Sequence, residues 1–273
     1  MRMIGIFDSG VGGLTFVKAL RKALPDYSFV YFGDTARVPY GNKDPETIRR
    51  YSKEAADFLL SKGANLIVAA CHTVSALAGG DLREYLSVPF FDVMDSLAEP
   101  VIKATKNGRI GIIGTKSTIK SLAHKNKLEE CFSKSKGEYS FKKLEVFEIA
   151  CPLFVPLIEE GFIKRPETKK IIRYYLRDLK LKNIDVLVLA CTHYPLLRKQ
   201  IQSAMGKNAT LIDPAEIAVS QIAEYIKNNP QLDAKLSKDK QSQFFVSDDP
   251  ERFANFGRVW LGENINAVKV DLS

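Results

Sequence analysis

Short apolar runs alternate with longer segments of helical periodicity along this chain of 273 residues. The runs are rich in β-branched residues, and most lack the polar and apolar alternation of a strand that has one solvated face. This order is typical of parallel strands joined by crossover helices, so the sequence predicts an α/β fold. The predicted strands are 3–7, 29–33, 65–70, 88–92, 109–114, 144–149, 185–190 and 209–213.

The chain contains a weak internal repeat. RMIGIFDSG at 2–10 parallels RIGIIGTKS at 109–117, and ANLIVAACHTVSAL at 64–77 parallels IDVLVLACTHYPLL at 184–197. Each half therefore carries a strand that is followed by a cysteine. Ligands of open α/β sheets bind beyond the carboxyl ends of the strands. We expect two half-chains of similar plan, with Cys71 and Cys191 brought together in a cleft between them.

Helical segments are also visible in the sequence. Apolar residues recur at helical spacing over 48–59 and over 171–179, which predicts two helices that each turn one face to a core. The run Asp-Pro-Ala-Glu at 213–216 has the N-cap, the first-turn proline and the glutamate that begin a helix. The polar segment 228–243 is interpreted as an exposed excursion.

The composition is that of an ordinary globular protein, with 45% hydrophobic residues and 40 Lys and Arg against 32 Asp and Glu. No stretch approaches the roughly 20 apolar residues of a membrane span, and the N-terminus does not resemble a signal peptide. The four cysteines form no C-x-x-C pair, which favours free thiols in a reducing cytoplasm. Lys-rich runs are usually solvated faces, so nucleic-acid binding is kept only as an alternative.

Cys71 and Cys191 are the strongest candidates for chemistry. Each ends a predicted strand ahead of an expected helix, where free backbone N–H groups and the helix dipole favour the thiolate. A single buried cysteine is most often a small apolar residue, but the duplicated context argues against that interpretation here. Two facing thiols can form a disulfide, bind a metal, or exchange a proton with a carbon acid held between them.

Zinc is the serious alternative, because Cys71, His72, Cys191 and His193 supply four borderline or soft ligands. Its weakness is the adjacency of Cys71 and His72, since structural ligand pairs are usually about two to four residues apart. Hydroxyl groups near the strand ends favour a carboxylate or phosphate ligand instead. A dinucleotide loop is not favoured, because the third glycine position of G-x-G-x-x-G holds Thr15.

Six segments, taken in order, resemble the motif set of the glutamate racemases of the aspartate/glutamate racemase superfamily. They are FDSGVGGLT (7–15), GDTARVPYG (33–41), ACHTVSA (70–76), IGTKSTIKS (113–121), CPLFVPLIEEG (151–161) and LACTHYPLL (189–197). The resemblance extends from residue 3 to about residue 262. No single motif is decisive, whereas six in order with both cysteines in register are highly specific.

The resemblance implies a cofactor-independent racemase that interconverts L- and D-glutamate and supplies D-glutamate for peptidoglycan synthesis. One cysteine acts as the thiolate base while the other returns a proton to the opposite face. By resemblance, Cys71 acts on the D-enantiomer and Cys191 on the L-enantiomer, and Asp8, Glu159 and His193 are auxiliary acids and bases. The substrate-contacting positions that it implies are Ser9, Pro39, Tyr40, Gly41, His72, Thr73, Thr115, Thr118 and Thr192.

The expected architecture has two pseudo-symmetric domains, with residues 1–97 and 208–273 in the first and residues 98–207 in the second. The active site is expected between them, without a metal or organic cofactor. We also expect a homodimer in the cytoplasm, with no membrane association. An aspartate or other amino-acid racemase of the same superfamily remains the main alternative, followed by a metal-binding or nucleic-acid-binding protein.

Two positions depart from the family pattern. His72 stands where the family usually has asparagine, and His124 stands where it usually has tyrosine. An imidazole in place of an amide at position 72 bears on substrate contact and on the neighbouring thiol. Glu159 and Glu160 are adjacent, and the family spacing after C-P-x-F-V-P favours Glu159 as the auxiliary acid.

Overall fold

A computed structural model describes residues 2–135, 137 and 139–272 of the chain. The strands are β1 (Met3–Asp8), β2 (Phe29–Gly33), β3 (Ala64–Ala69), β4 (Phe90–Asp92), β5 (Arg109–Gly114), β6 (Glu145–Ala150), β7 (Val186–Ala190), β8 (Thr210–Ile212), β9 (Ser242–Val246) and β10 (Ala267–Lys269). The helices are α1 (Leu14–Ala23), α2 (Pro45–Ser61), α3 (His72–Tyr85), α4 (Ala98–Ala104), α5 (Lys116–Lys120), α6 (Ala123–Lys134), α7 (Phe154–Glu159), α8 (Pro166–Leu181), α9 (Arg198–Met205), α10 (Pro214–Asn228), α11 (Pro230–Asp233) and α12 (Pro250–Trp260).

The chain forms two units, one of residues up to 95 together with residues from 215 onward, and one of residues 96–214. The first contains a parallel sheet with the strand order β10-β9-β2-β1-β3-β4. The second contains a parallel sheet with the order β6-β5-β7-β8. The predicted α/β class with mainly parallel sheets is confirmed.

The boundary after the second unit differs from the sequence-based expectation. Strand β8 pairs with β7 in parallel, so its residues extend the second sheet. The second unit therefore continues to Pro214, seven residues beyond the expected end at 207. Pairing between distant segments decides this boundary, and the local pattern of residues 208–214 carries no such information.

The central strands are buried on both faces, as their apolar sequences predict. Every residue of β1, β2 and β7 is buried. Helix α2 places Ile48, Ala55 and Leu59 in the core of the first unit, which confirms the apolar stripe over 48–59. Helix α8 does the same in the second unit, and α10 begins at Pro214 as its N-terminal residues predict.

The segment 228–243 is mostly exposed, as the sequence predicts, and it lies inside the first unit. It also contains helix α11 and the first residues of β9, which pairs with β2 inside the first sheet. Neither β9 nor β10 was predicted. Strand β9 is only partly buried, so its sequence lacks the long apolar run of the central strands. No helix in the described ranges has the length and apolar character that crossing a bilayer requires.

Candidate active site

The loops that follow β1 and β3 bring the candidate residues of the first unit together. The two strands are hydrogen-bonded neighbours in parallel register, so their carboxyl ends lie at the same edge of the sheet. Asp8 is the last residue of β1, and Cys71 follows β3 as the N-cap of α3. The Sγ atom of Cys71 lies 3.5 Å from the Oγ atom of Ser9.

The Cys71 thiol is held in its neutral form. Burial and, to a smaller extent, the negative charge of Asp8 raise the pKa of Cys71, while Ser9 and the N–H groups of Val74 and Thr73 lower it, and the net result is a pKa of about 11. The N–H groups at the start of α3 lower the pKa of Cys71, as the sequence-based argument expects. The thiolate is nevertheless not favoured, because only 5% of Cys71 is exposed and desolvation raises the pKa by more than these groups lower it.

Asp8 is almost completely buried and does not cap a helix. Its Oδ2 atom accepts a hydrogen bond of 3.0 Å from the N–H of Gly10, and α1 begins later with Gly13 as its N-cap. The hydroxyl of Tyr31, on the neighbouring strand β2, donates to the carbonyl of Gly10 at 2.7 Å. The buried side chain of Tyr31 therefore holds the loop that carries Asp8 and Ser9 in place.

The remaining candidates of the first unit lie on either side of Cys71. His72 and Thr73 form the first turn of α3 and are 3% and 2% exposed. Tyr40 is buried in the core cluster that also contains Cys71, and burial and Asp34 raise the pKa of its hydroxyl. Gly41 is buried and Pro39 is exposed. No role was predicted for Asp34 from the sequence, although it lies within the motif GDTARVPYG.

The second unit repeats the arrangement at the ends of β5 and β7. Thr115 follows β5 and Cys191 follows β7, and these strands are parallel neighbours. The N–H of Cys191 donates to the carbonyl of Leu189 at 2.9 Å, so the chain turns at once after the strand. A short 3-10 helix, Tyr194–Leu197, comes next, with His193 at its N-cap position. The helix expected to follow Cys191 is therefore a short 3-10 helix that begins three residues after the cysteine.

His193 connects Cys191 with a carboxylate. Its Nδ1 atom lies 3.9 Å from the Sγ atom of Cys191, and its Nε2 atom lies 2.9 Å from Oε1 of Glu159. Glu159 is the last residue of α7, whereas Glu160 is exposed. With the Nε2–H donating to Glu159, Nδ1 is left as the acceptor that faces the thiol.

Hydroxyl groups line the neighbouring loop of the second unit. The Oγ1 atoms of Thr115 and Thr118 lie 2.9 Å apart, and Thr115 caps α5 by accepting from the N–H of Thr118. Thr118 is completely buried and Thr192 is 7% exposed. These side chains are small, polar and close to a strand end, which suits contact with a carboxylate ligand.

Tyr194 supports this loop and was not found from the sequence as a functional residue. Its buried hydroxyl lies 3.0 Å from the carbonyl oxygen of Gly114 and 2.9 Å from that of Cys151. It thereby joins the ends of β5 and β6 to the turn that carries His193. Tyr31 has the same role in the first unit, where its hydroxyl donates to the carbonyl of Gly10.

The other two cysteines are not among the candidate residues, although the carbonyl of Cys151 accepts a hydrogen bond from Tyr194. Cys151 is completely buried, and burial alone raises its pKa, as expected of a packing residue. Cys131 is half-buried on α6. All four cysteines lie within the described residues, and none of them forms a disulfide. Among the described residues, no group of three or more His, Cys, Asp or Glu side chains is arranged to hold a metal ion.

Comparison with known proteins identifies the class to which this fold and the sites around Cys71 and Cys191 belong. Residues 14–222 match the family model described as Asp/Glu/Hydantoin racemase, which is more than half of the chain. The chain belongs to this family.

Its relatives are more specific. A glutamate racemase of Chlorobaculum tepidum is 44% identical over 268 residues, which cover 98% of this chain and 95% of the relative. The structure of a glutamate racemase isoform from Bacillus anthracis matches with a TM-score of 0.89 and 32% identity, covering 99% of this chain and 98% of the other. That of a Francisella tularensis glutamate racemase in complex with D-glutamate matches with a TM-score of 0.88 and 34% identity, covering 100% and 98%.

Proposed function

We propose that this protein is a cofactor-independent glutamate racemase that interconverts L- and D-glutamate between the thiols of Cys71 and Cys191. The observation that carries the proposal is that each thiol follows a strand of its own parallel sheet and has polar or ionisable neighbours of its own. Cys71 has Ser9 and Asp8, and Cys191 has the pair of His193 and Glu159. The substrate of the proposal comes from the relatives, which are named glutamate racemase.

In the proposed reaction from L to D, the thiolate of Cys191 takes the α-proton of L-glutamate, which breaks the C–H bond and forms an S–H bond. Cys71 then gives its thiol proton to the opposite face of the planar α-carbon, and it is left as the thiolate. The raised pKa of Cys71 supports this donor role, because the thiol form is the resting form at neutral pH. The roles reverse in the other direction.

His193 and Glu159 are proposed to make the Cys191 thiolate available. The imidazole accepts the thiol proton on Nδ1, and the carboxylate on Nε2 stabilises the resulting imidazolium. Asp8 opposes ionisation of Cys71 and so favours its thiol form. The proposed substrate contacts are Ser9, Pro39, Tyr40, Gly41, His72, Thr73, Thr115, Thr118 and Thr192.

The proposal extends to the assembly and to the cell. We propose a homodimer in the cytoplasm whose D-glutamate enters peptidoglycan. Analytical ultracentrifugation tests the dimer, and growth of a D-glutamate auxotroph that expresses this chain tests the supply of D-glutamate. The proposed reaction uses no cofactor.

The direct test is racemisation in deuterium oxide. Metal-free protein is incubated with L-glutamate, and the loss of the α-proton signal is followed by NMR together with optical rotation. We expect racemisation with α-deuteration in the wild type, its loss in Cys71→Ser and in Cys191→Ser, and retention in Cys131→Ser, which removes a half-buried thiol on α6. Turnover of aspartate but not glutamate would reassign the substrate, and full activity in both thiol variants would overturn the mechanism.

A further inference from the structure

Asp34 lies directly after β2 with a completely buried side chain. Its backbone N–H donates to the carbonyl of Asp8 at 3.1 Å, which ties it to the loop of the candidate site. Three side chains donate to its carboxylate. The hydroxyl of Tyr40 and Nε of Arg37, the latter at 2.6 Å, donate to Oδ2, and the hydroxyl of Ser247 donates to Oδ1 at 2.8 Å.

The charge of this carboxylate is compensated inside the protein. Arg37 forms ion pairs with both Asp34 and Glu54 of α2, and its guanidinium lies 3.9 Å from the centre of the Tyr51 ring. A buried carboxylate is stable only when it is paired and hydrogen-bonded, and Asp34 meets both conditions. Its function is therefore to hold protein groups in place.

The side chain of Tyr40 is one of the groups that it holds. The ring is 2% exposed and packs against Tyr51 with 5.8 Å between the ring centres. Since its hydroxyl is bound to Asp34, the phenol is engaged inside the protein. Tyr40 belongs to segment 38–41, which consists of Val38, Pro39, Tyr40 and Gly41.

This segment lies against the loop that carries Ser9. A Cβ atom built on Gly10 would lie 2.9 Å from Cγ1 of Val38, so the side chain of Val38 packs against the backbone of Gly10. Movement of Val38 therefore changes the space beside Gly10, the residue that follows Ser9. Asp34 restricts that movement, because it binds both Arg37 and Tyr40, which lie on either side of Val38 in the chain.

We propose that Asp34 is a positioning residue that fixes segment 38–41 for substrate binding, acting through the hydroxyl of Tyr40 and the guanidinium of Arg37. The inference rests on the proposed function, because it assigns the substrate to this segment. It also means that the side chain of Tyr40 positions the segment and does not itself contact the substrate. The substrate meets the backbone of residues 39–41, and the phenol serves as the anchor.

The test separates substrate affinity from turnover. Tyr40→Phe keeps the ring and removes the hydroxyl, Asp34→Asn removes the charge, and Ser247→Ala removes a donor to the other oxygen. Tyr85→Phe is the matched control, since its hydroxyl also binds an aspartate, Asp57, at 3.0 Å but on an exposed face. We expect KM for glutamate to rise about tenfold in Tyr40→Phe and in Asp34→Asn, and about threefold in Ser247→Ala.

The catalytic constant is expected to stay within about threefold of the wild type in each variant, because the thiols are untouched. The double variant Asp34→Asn/Tyr40→Phe is expected to be no worse than the worse single variant, since both changes remove one anchor. Tyr85→Phe is expected to leave both constants unchanged.

Two results would overturn the inference. One is a KM within about twofold of the wild type in Tyr40→Phe and Ser247→Ala, even where Asp34→Asn does not fold. The other is a raised KM in Tyr40→Phe with a normal KM in folded Asp34→Asn, which would mean that the phenol contacts the substrate itself. If the wild type racemises a different amino acid, KM for that substrate is the readout, whereas a wild type without any racemase activity overturns the proposed function and this inference together.

Discussion

The Nε2 atom of His193 lies 2.9 Å from the Oε1 atom of Glu159, although the two residues are 34 positions apart in the chain. The contact joins the end of α7 to the turn after β7. It fixes the orientation of the imidazole ring and leaves Nδ1 towards Cys191. Glu159 is thus a positioning residue for the histidine, and this relationship can be tested separately from the thiols.

Glu159→Gln is expected to lower kcat for glutamate racemisation by about 10- to 100-fold. The amide keeps the shape of the side chain but no longer stabilises an imidazolium. The measurement is the initial rate of L-glutamate racemisation by circular dichroism. Glu160→Gln is the matched control, because Glu160 is adjacent and exposed, and it is expected to retain kcat within about twofold. Equal losses in the two variants would contradict the assignment.

The reactivity of Cys71 is expected to change in opposite directions when its two polar neighbours are altered. Asp8 raises the pKa of Cys71 and Ser9 lowers it. Asp8→Asn should therefore increase the rate of alkylation of Cys71 by iodoacetamide at pH 8.5, and Ser9→Ala should decrease it, because the thiolate is the reacting form. Each unit of pKa corresponds to about a tenfold change in thiolate fraction well below the pKa.

The alkylation rate is measured by mass spectrometry of the peptides that contain Cys71 and Cys131. Cys131 lies in the other unit and serves as the internal reference. A ratio of the two rates that stays the same in Asp8→Asn would show that the charge of Asp8 does not act on Cys71.

His124 is expected to make the protein sensitive to acid. Burial lowers its pKa from 6.5 to about 3, with a smaller effect from Lys127 in the same direction. Below pH 6.5 the unfolded chain takes up a proton that the folded chain does not, so stability falls as the pH decreases. As the pH falls from 6.5 to 5, this histidine lowers the free energy of unfolding by roughly 2 kcal/mol.

Urea unfolding of the wild type and of His124→Gln at pH 8, 6 and 5 measures this effect. The difference at pH 8 reports the packing change alone, because the imidazole is neutral there in both states. We expect the loss of stability from pH 8 to pH 5 to be smaller in the variant. Parallel curves for the two proteins would show that His124 is not the acid-sensitive group.

Glu148 is expected to make the protein less stable as the pH rises, which is the opposite of the effect of His124. Its Oε1 atom is buried and has no hydrogen-bond partner among the described residues. Burial raises its pKa from 4.5 to about 7, with Lys125 lowering it and Glu129 raising it. The folded chain therefore retains a proton that the unfolded chain loses above pH 4.5, and the stability from this group is lost as the pH rises to 7.

Glu148→Gln should accordingly gain stability relative to the wild type as the pH rises from 5 to 8. Glu145→Gln, on the same strand, is the control, since Lys143 and Arg109 hold the pKa of Glu145 below its usual range. Thermal unfolding midpoints over this pH range measure both. A relative gain in Glu145→Gln that matches the gain in Glu148→Gln would contradict the account.

Local patterns in the sequence determined much of this protein. The apolar, β-branched runs predicted the central strands, because strands buried on both faces need such residues throughout. The proline and acidic residues at 213–216 predicted the start of α10, since capping depends only on neighbouring groups. The order of motifs also pointed to the family that comparison shows.

Other features depend on segments that are far apart in the chain, and only the tertiary structure decided them. Strand β9 lies beside β2 and carries Ser247 to Asp34, which the polar sequence before it gave no reason to expect. The pairing of β8 with β7 moved the boundary between the two units. The neutral state of Cys71 follows from burial and from Asp8, because desolvation depends on everything packed around the thiol and outweighs the N–H groups next to it in sequence.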